Sequence, residues 1–353
     1  MIVLLHNDLD EATRKELLEK LQSWAIQRGV SICGFGTGWG DSVELLPADG
    51  ATECDYAIEI RSFAGVRAVL TQDEPTYLVA PRSGSRTQVR FRSAAFGNNA
   101  VSAIAGPCSV ENLDDLLALG ADLVAAGATA LRGGAYKPRT SPYAFQGLGK
   151  LGLEMLATVR EQTGLAVVTE VMDTRDVELV SRYADALQIG SRNMMNYSLL
   201  REAGAVGVPV LLKRGMSATL GEFLLAAEYL AHAGCEDILL CERGLRHFDP
   251  DVRNLLDLSA VPALKERTHL PVLVDPSHGT GASSLVPSMM AAAAAAGADG
   301  FLVEVHPCPS RSVSDAGQAL TPTEFATAMD TTRAVLDACG RKFNAAQAPT
   351  TSN

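Results

Sequence analysis

From Val101 onward the sequence repeats one unit, a short apolar run bounded by glycine or proline and then a stretch with helical spacing. The runs fall at 101–105, 128–131, 165–169, 186–189, 209–212, 237–240, 271–274 and 300–303. Apolar runs of this length suit strands buried on both faces, and strands that alternate with helices pair in parallel. Eight such units over about 240 residues match the size of a (β/α)8 barrel. The runs end in Cys108, Arg132, Glu170, Gln188, Lys213, Glu242 with Arg243, Asp275 with His278, and Glu304 with His306. A purely structural barrel has no need of a polar or charged residue after every strand, whereas an active site at the strands' C-terminal rim does. This favours the barrel over an open, doubly wound sheet.

The first 82 residues follow a different plan, β-α-β-β-α-β. Strands are expected at 2–5, 30–35, 42–46 and 76–80, with helices at 10–27 and 54–70. Leu17, Leu18, Leu21 and Trp24 supply the apolar stripe of the first helix. The order predicts a small ferredoxin-like α+β domain with a regulatory role. Residues 83–100 read as a turn-rich linker or hairpin with one alternating strand, 101–343 as the barrel, and 344–353 as a small, polar, disordered tail. A glycine-rich turn, Gly34-Phe35-Gly36-Thr37-Gly38, could approach a ligand, but glycine hairpins are more often only turns.

A formal net charge of −11 excludes a general nucleic-acid binder, which needs a basic face. An anionic substrate must be held by a local cationic pocket instead. The seven cysteines are scattered and form no CxxC pair, as expected of reduced thiols in a cytosol. The N-terminus has no basic n-region, and the longest apolar stretch, the alanine run 291–296, is too short to span a bilayer. The expected location is cytoplasmic, with no membrane partner.

Cys108, His278, Glu304 and Asp315 offer a thiolate, an imidazole and two carboxylates. That set suits a borderline divalent ion such as Mn, Fe, Co or Zn, and suits the all-oxygen shells of Ca or Mg poorly. Singly, Cys108 could be a small buried hydrophobe, His278 a turn residue and Asp315 a helix cap. Glu304 is harder to dismiss, because a carboxylate ending the run Phe301-Leu302-Val303 is expensive to bury unpaired. Barrel geometry brings strands one, seven and eight to one rim and so favours the joint reading. The segment Leu131-Arg132-Gly133-Gly134-Ala135-Tyr136-Lys137-Pro138-Arg139-Thr140-Ser141 places three cations and two hydroxyls on a constrained loop, a phosphate and carboxylate clamp rather than a solvated basic loop. Arg192, Lys213 and Arg243 repeat the theme on strands four to six. Glu170 and Glu242 are the expected orienting partners of these cations. A Schiff-base role for Lys213 is the competing reading, disfavoured by the surrounding cations and the ligand set.

With these motifs assembled, the chain resembles the 3-deoxy-D-arabino-heptulosonate 7-phosphate (DAHP) synthases, in the subgroup with a ferredoxin-like N-terminal extension. The likeness covers about 101–340 and includes Ala105-Gly106-Pro107-Cys108, Gln188-Ile189-Gly190-Ser191-Arg192-Asn193, Leu212-Lys213-Arg214-Gly215, Glu242-Arg243-Gly244 and Glu304-Val305-His306-Pro307. It implies a divalent metal on Cys108, His278, Glu304 and Asp315, with Cys108, His278 and Lys137 in catalysis. It implies phosphoenolpyruvate against Arg132, Lys137, Arg192, Lys213 and Arg243, and erythrose 4-phosphate against Lys137, Arg139, Thr140 and Ser141. It also implies an aromatic amino acid effector and a homodimer or homotetramer; Cys308, in Pro307-Cys308-Pro309, is loop variation relative to the motif that lies close to the metal rim in sequence.

Two other readings stand beside it. A sister sugar-acid synthase of the 3-deoxy-D-manno-octulosonate 8-phosphate type, or a secondary-metabolism paralogue, would use a different aldose. The Lys137-Pro138-Arg139-Thr140-Ser141 stretch favours the four-carbon substrate. A catalytically silent sensor or partner activator has no reason to keep both the ligands and the cations.

Overall fold

The computed structural model describes residues 1–36, 41–47, 53–82, 84, 86–139 and 141–344. Thr37, Gly38 and the tail 345–353 lie outside the described residues. The chain divides into two compact units, Met1–Leu78 and Val79–Asn353. The division falls a few residues before the expected 82. Val79 already belongs to the second unit: its N–H donates to Glu228 (3.0 Å) and its carbonyl accepts Thr268 Oγ1.

The N-terminal unit contains β1 (Ile2–Leu5), α1 (Glu11–Arg28), β2 (Ser31–Gly36), β3 (Ser42–Leu46), α2 (Glu53–Arg61) and β4 (Val66–Leu70). The sheet order is β2-β3-β1-β4, with every neighbouring pair antiparallel, which is the ferredoxin-like arrangement. Asp10 caps α1 by accepting the Thr13 N–H at 2.7 Å. Leu17, Leu21 and Trp24 face the sheet residues Val3, Leu5, Val43 and Val69 in one core.

Two expectations fail here. The helix expected over 54–70 ends at Arg61, and the last strand is Val66–Leu70 rather than 76–80. Gly65 sits at φ +94° and turns the chain between them. The run Val66-Arg67-Ala68-Val69-Leu70 then pairs with β1, so its short apolar run was strand, not helix.

The second unit opens with a hairpin, β5 (Val89–Phe91) and β6 (Ala94–Phe96). Its Val89, Phe91, Ala94 and Phe96 are buried with Ile104, Ala130, Val168, Leu211, Leu273 and Leu302 of the barrel interior. The segment read as a linker is thus part of the barrel core. Eight parallel strands follow: β7 (Ala100–Gly106), β8 (Ala130–Arg132), β9 (Ala166–Glu170), β10 (Ala186–Ile189), β11 (Val210–Lys213), β12 (Ile238–Glu242), β13 (Val272–Val274) and β14 (Gly300–Glu304). Each pairs with the next, and β14 closes on β7 with Glu304 opposite Gly106. This is a closed (β/α)8 barrel. A short β15 (Lys342–Phe343) adds to the start of β7.

Residues alternate along each strand between the interior and a larger outer core under the helices. Two of those helices, Leu220–His232 and Pro322–Ala338, begin with capping boxes, Thr219 with Glu222 and Thr321 with Glu324. Rigid strands therefore end at one rim, where the polar residues lie.

Candidate active site and metal centre

The end of β14 and the segments that follow β7 and β14 bring three of the four expected ligands, Cys108, Glu304 and Asp315, into one group, and His278 lies against Glu304. Cys108 follows β7 and is buried; Glu304 ends β14 and is 0% exposed. The ligand atoms of Cys108, Glu304 and Asp315 all lie within 4.8 Å of one another. Cys108 Sγ is 3.1 Å from Asp315 Oδ2, and His278 Nε2 is 3.3 Å from Glu304 Oε1. Gly106 makes the approach possible: at φ +147°, a Cβ there would sit 2.2 Å from the Arg132 carbonyl oxygen. Cys308 contacts Ser310 instead and does not join the cluster.

Asp275 orients the imidazole. Its Oδ1 accepts the His278 backbone N–H (2.9 Å) and its Oδ2 contacts Nδ1 (2.7 Å). Burial pushes the Asp275 carboxyl up, but His278 and Lys213 outweigh this and hold it well below the carboxylate range. As a carboxylate it can only accept, so Nδ1 carries the proton. Burial also keeps the imidazole neutral, its pKa lowered to about 4. Nε2 then presents a lone pair to the Glu304 carboxylate.

Glu304 Oε1 is buried and accepts no hydrogen bond, although Arg132 Nη2 lies 3.2 Å away. Burial raises the Glu304 carboxyl, but His278 and Arg132 bring it below its usual value. Two acceptor atoms face one another with no proton between them, beside a thiol and a second carboxylate. A divalent cation suits that donor set of imidazole, thiol and two carboxylates. Burial and the Glu304 charge push the Cys108 thiol up to about 12, so the sulfur is protonated until a cation displaces the proton. Asp315 is held at about 2; burial opposes this, and the Cys108 hydrogen bond and Arg253 overcome it.

Beside this cluster lies a cleft of about 560 Å³ lined by Arg132, Lys137, Arg139, Arg192, Lys213, Arg243, Arg246 and Arg253, with Glu170 and Asp315 as its carboxylates. Ser141, Gln188 and His278 also line it. Thr140 lies outside the described residues. Lys137 is 8% exposed, and its Nζ donates to the Cys108 carbonyl (2.8 Å) and sulfur (3.0 Å). Arg139 Nη1 donates to the buried Ser314 hydroxyl at 2.5 Å, and Arg192 Nη1 to the Pro138 carbonyl at 2.8 Å. Arg132 is 5% exposed and keeps Nε and Nη1 without a hydrogen-bond partner. Arg243, equally buried, donates only to the carbonyl of Gly244 at 3.4 Å, and burial lowers its pKa. Buried cations with idle donors in an open cleft are built to receive anions.

The partners differ from those expected. Glu242 binds Arg214 Nη1 (2.8 Å) and the Gly244 N–H (2.6 Å), not Arg243. Lys213 pairs with Asp275 rather than a glutamate. Glu170 accepts from Gln188 at 3.4 Å and sits among Lys137, Lys213, Arg132 and Arg192, with its carboxyl raised by burial. Sequence reasoning missed Arg246 and Arg253 in the loop after β12, Gln318, and the double role of Asp275. Only Asp275 had a signal: an Asp three residues before a His, with Pro between, is a helix cap that can reach the ring.

Fold and site define a (β/α)8 enzyme with a cationic cleft beside a group of side chains that could hold a metal ion. The description "DAHP synthetase I family" matches residues 85–337, and the chain belongs to that family. The phospho-2-dehydro-3-deoxyheptonate aldolase of Thermotoga maritima is 48% identical over 345 residues, 98% of this chain and 100% of that protein. The crystal structure of that organism's phospho-2-dehydro-3-deoxyheptonate aldolase (DAHP synthase) superposes with a TM-score of 0.77 and 40% identity, covering 97% of this chain and 99% of the other. A 2-dehydro-3-deoxyphosphooctonate aldolase from Syntrophotalea carbinolica is 34% identical over 243 residues, 64% of this chain and 86% of that protein.

Proposed function

We propose that the chain condenses phosphoenolpyruvate with erythrose 4-phosphate to give 3-deoxy-D-arabino-heptulosonate 7-phosphate and inorganic phosphate, the first step of the shikimate route to aromatic amino acids. The observation that carries this reading is a cleft lined by buried cations, Arg132 among them with two idle donors, directly beside the Cys108–Glu304–Asp315 group and His278. Family membership and full-length similarity to the Thermotoga maritima enzyme support it.

In this reading Cys108, His278, Glu304 and Asp315 hold the divalent ion (Mn, Fe, Co or Zn), which supplies Lewis acidity toward the aldehyde. Arg132, Arg192, Lys213 and Arg243 bind the phosphate and carboxylate of phosphoenolpyruvate. Arg139 and Ser141, with Lys137, meet erythrose 4-phosphate, and the same motif assigns Thr140 there. Carbon 3 of phosphoenolpyruvate attacks the aldehyde carbon, and Lys137 protonates the alkoxide that develops. Water adds at carbon 2, and the C–O bond to phosphate breaks as the ketone forms. Arg132 and Lys213 stabilise charge at carbon 2 and on the leaving phosphate. Glu170, among these cations, balances their charge.

The N-terminal unit is proposed as the site of an aromatic amino acid effector, and a homodimer or homotetramer in the cytoplasm is the proposed assembly. The sister-synthase reading rests on relatives that match only part of the chain. Turnover with erythrose 4-phosphate and with a five-carbon aldose phosphate, each at saturating phosphoenolpyruvate, separates the two. A preference for the five-carbon substrate would transfer the chain to the sister reaction.

A further inference from the structure

Gln318 is 2% exposed and does not line the cleft, yet it contacts both carboxylate ligands. Its Nε2 donates to Glu304 Oε2 at 2.8 Å, and its backbone N–H donates to the Asp315 carbonyl at 3.2 Å. Its Oε1 accepts from Arg253 Nη1 at 2.6 Å, and the same Nη1 lies 3.1 Å from Asp315 Oδ1. The amide orientation is forced, since a carboxylate can only accept and a guanidinium can only donate. Asp315 itself sits at φ +52°, a left-handed backbone that a side chain seldom adopts and that the Ala316–Gln318 turn holds in place. The neighbour of Arg253, Asn254, donates to the His278 carbonyl at 2.8 Å. Two short segments, Arg253–Asn254 and Ala316–Gln318, thus brace three of the four ligands.

The consequence for Glu304 is asymmetric. Gln318 occupies Oε2, so Oε1, which has Arg132 Nη2 at 3.2 Å, is the oxygen left facing His278 Nε2. We infer that Gln318, braced by Arg253, is a positioning residue that makes Glu304 a one-oxygen ligand and thereby sets the affinity and coordination geometry of the metal. This rests on the metal site proposed above. Without the amide, Glu304 is free to rotate and offer both oxygens, and Arg253 loses its second acceptor. Partners that orient a metal ligand typically contribute about 10–100-fold to affinity.

The test uses the full-length protein stripped of metal and titrated with Co(II) or Mn(II) in competition with a chromophoric chelator. The visible spectrum of the Co(II) form reports coordination geometry. Gln318→Leu should weaken binding about 10–100-fold and change the Co(II) bands, while the phosphoenolpyruvate KM at saturating metal stays within about twofold. Gln318→Glu, which puts a like charge beside Glu304, should weaken binding at least as much. Arg253→Lys keeps a charge near Asp315 but loses the planar fork, and should fall between wild type and Gln318→Leu. Failure of wild type to bind either ion would remove the metal site itself. Wild-type binding with an unchanged dissociation constant and spectrum in a folded Gln318→Leu protein would overturn the positioning role alone. Should Gln318→Leu lack a cooperative thermal transition, Arg253→Lys decides by the same two readouts.

Discussion

His278 Nε2 lies 3.3 Å from Glu304 Oε1, and both groups have lowered pKa values, His278 through burial to about 4 and Glu304, against its burial, through His278 and Arg132. Two lone pairs at that distance repel, and a cation held by His278 and Glu304 together would relieve the repulsion. Asp275 creates it by fixing the proton on the opposite ring nitrogen.

Metal affinity should therefore depend on pH through one group. Burial and the Glu304 charge hold the Cys108 thiol protonated, with its pKa pushed up to about 12, whereas His278 is neutral above about 4. Binding as thiolate releases one proton from sulfur and none from imidazole, so affinity rises about tenfold per unit from roughly pH 6 to 9. Chelator competition across that range measures the slope. Cys108→Ala should lose the slope together with most of the affinity, and a pH-independent wild-type affinity would contradict thiolate ligation.

Asp275→Asn removes the charge that serves both His278 and Lys213. The amide can no longer dictate the imidazole tautomer, and Lys213 loses the carboxylate it pairs with directly. The expected result is about 10–100-fold weaker metal binding, a higher KM for phosphoenolpyruvate, and a loss of about 3 kcal/mol in denaturant unfolding. Unchanged metal binding would show that the carboxylate does not orient His278.

Lys137→Met should separate chemistry from metal content. Its Nζ touches Cys108 but is not a ligand atom in the cluster. Turnover should fall by about 10²–10⁴-fold, the usual contribution of a positioned proton donor, with metal stoichiometry retained. Near-normal kcat would sink the proton-donor role.

Gly106→Ala tests the floor of the site. A Cβ would lie 2.2 Å from a backbone oxygen, at a φ of +147° that alanine rarely adopts. Destabilisation of about 3 kcal/mol is expected, read as a shift in the denaturant midpoint. A midpoint equal to wild type would mean that β7 and β8 do not approach as described.

The barrel was legible because each strand is a short, doubly buried apolar run, and the eight observed strands begin within two residues of the runs read from the sequence. Cys108, Arg132, Lys213 and Glu304 were legible for a related reason, since polar residues at the ends of such runs have nowhere to go but the rim. Pairings were not legible. Arg214 and Arg243 are close in sequence to their neighbours on β11 and β12, but which one meets Glu242 depends on side-chain direction at a strand end. Arg253 and Gln318 lie in loops whose path is set by Gly279, Gly281 and Asp315, not by any periodic pattern. The hairpin of Phe91 and Phe96 was legible as a linker or hairpin but not as core, because its apolar residues are too few to announce a core until the barrel interior receives them. In the N-terminal unit, Val66–Leu70 was mistaken for helix because a five-residue run has no resolvable period.

The central claim is that one cleft joins phosphoenolpyruvate to erythrose 4-phosphate with the help of a metal held by Cys108, His278, Glu304 and Asp315. The most direct measurement follows phosphoenolpyruvate absorbance with purified protein before chelation, after chelation, and after Mn(II) is restored. The account predicts consumption that requires erythrose 4-phosphate, stops on chelation and returns with the ion. Consumption that persists without metal, or no consumption with any of Mn, Fe, Co or Zn, would contradict it.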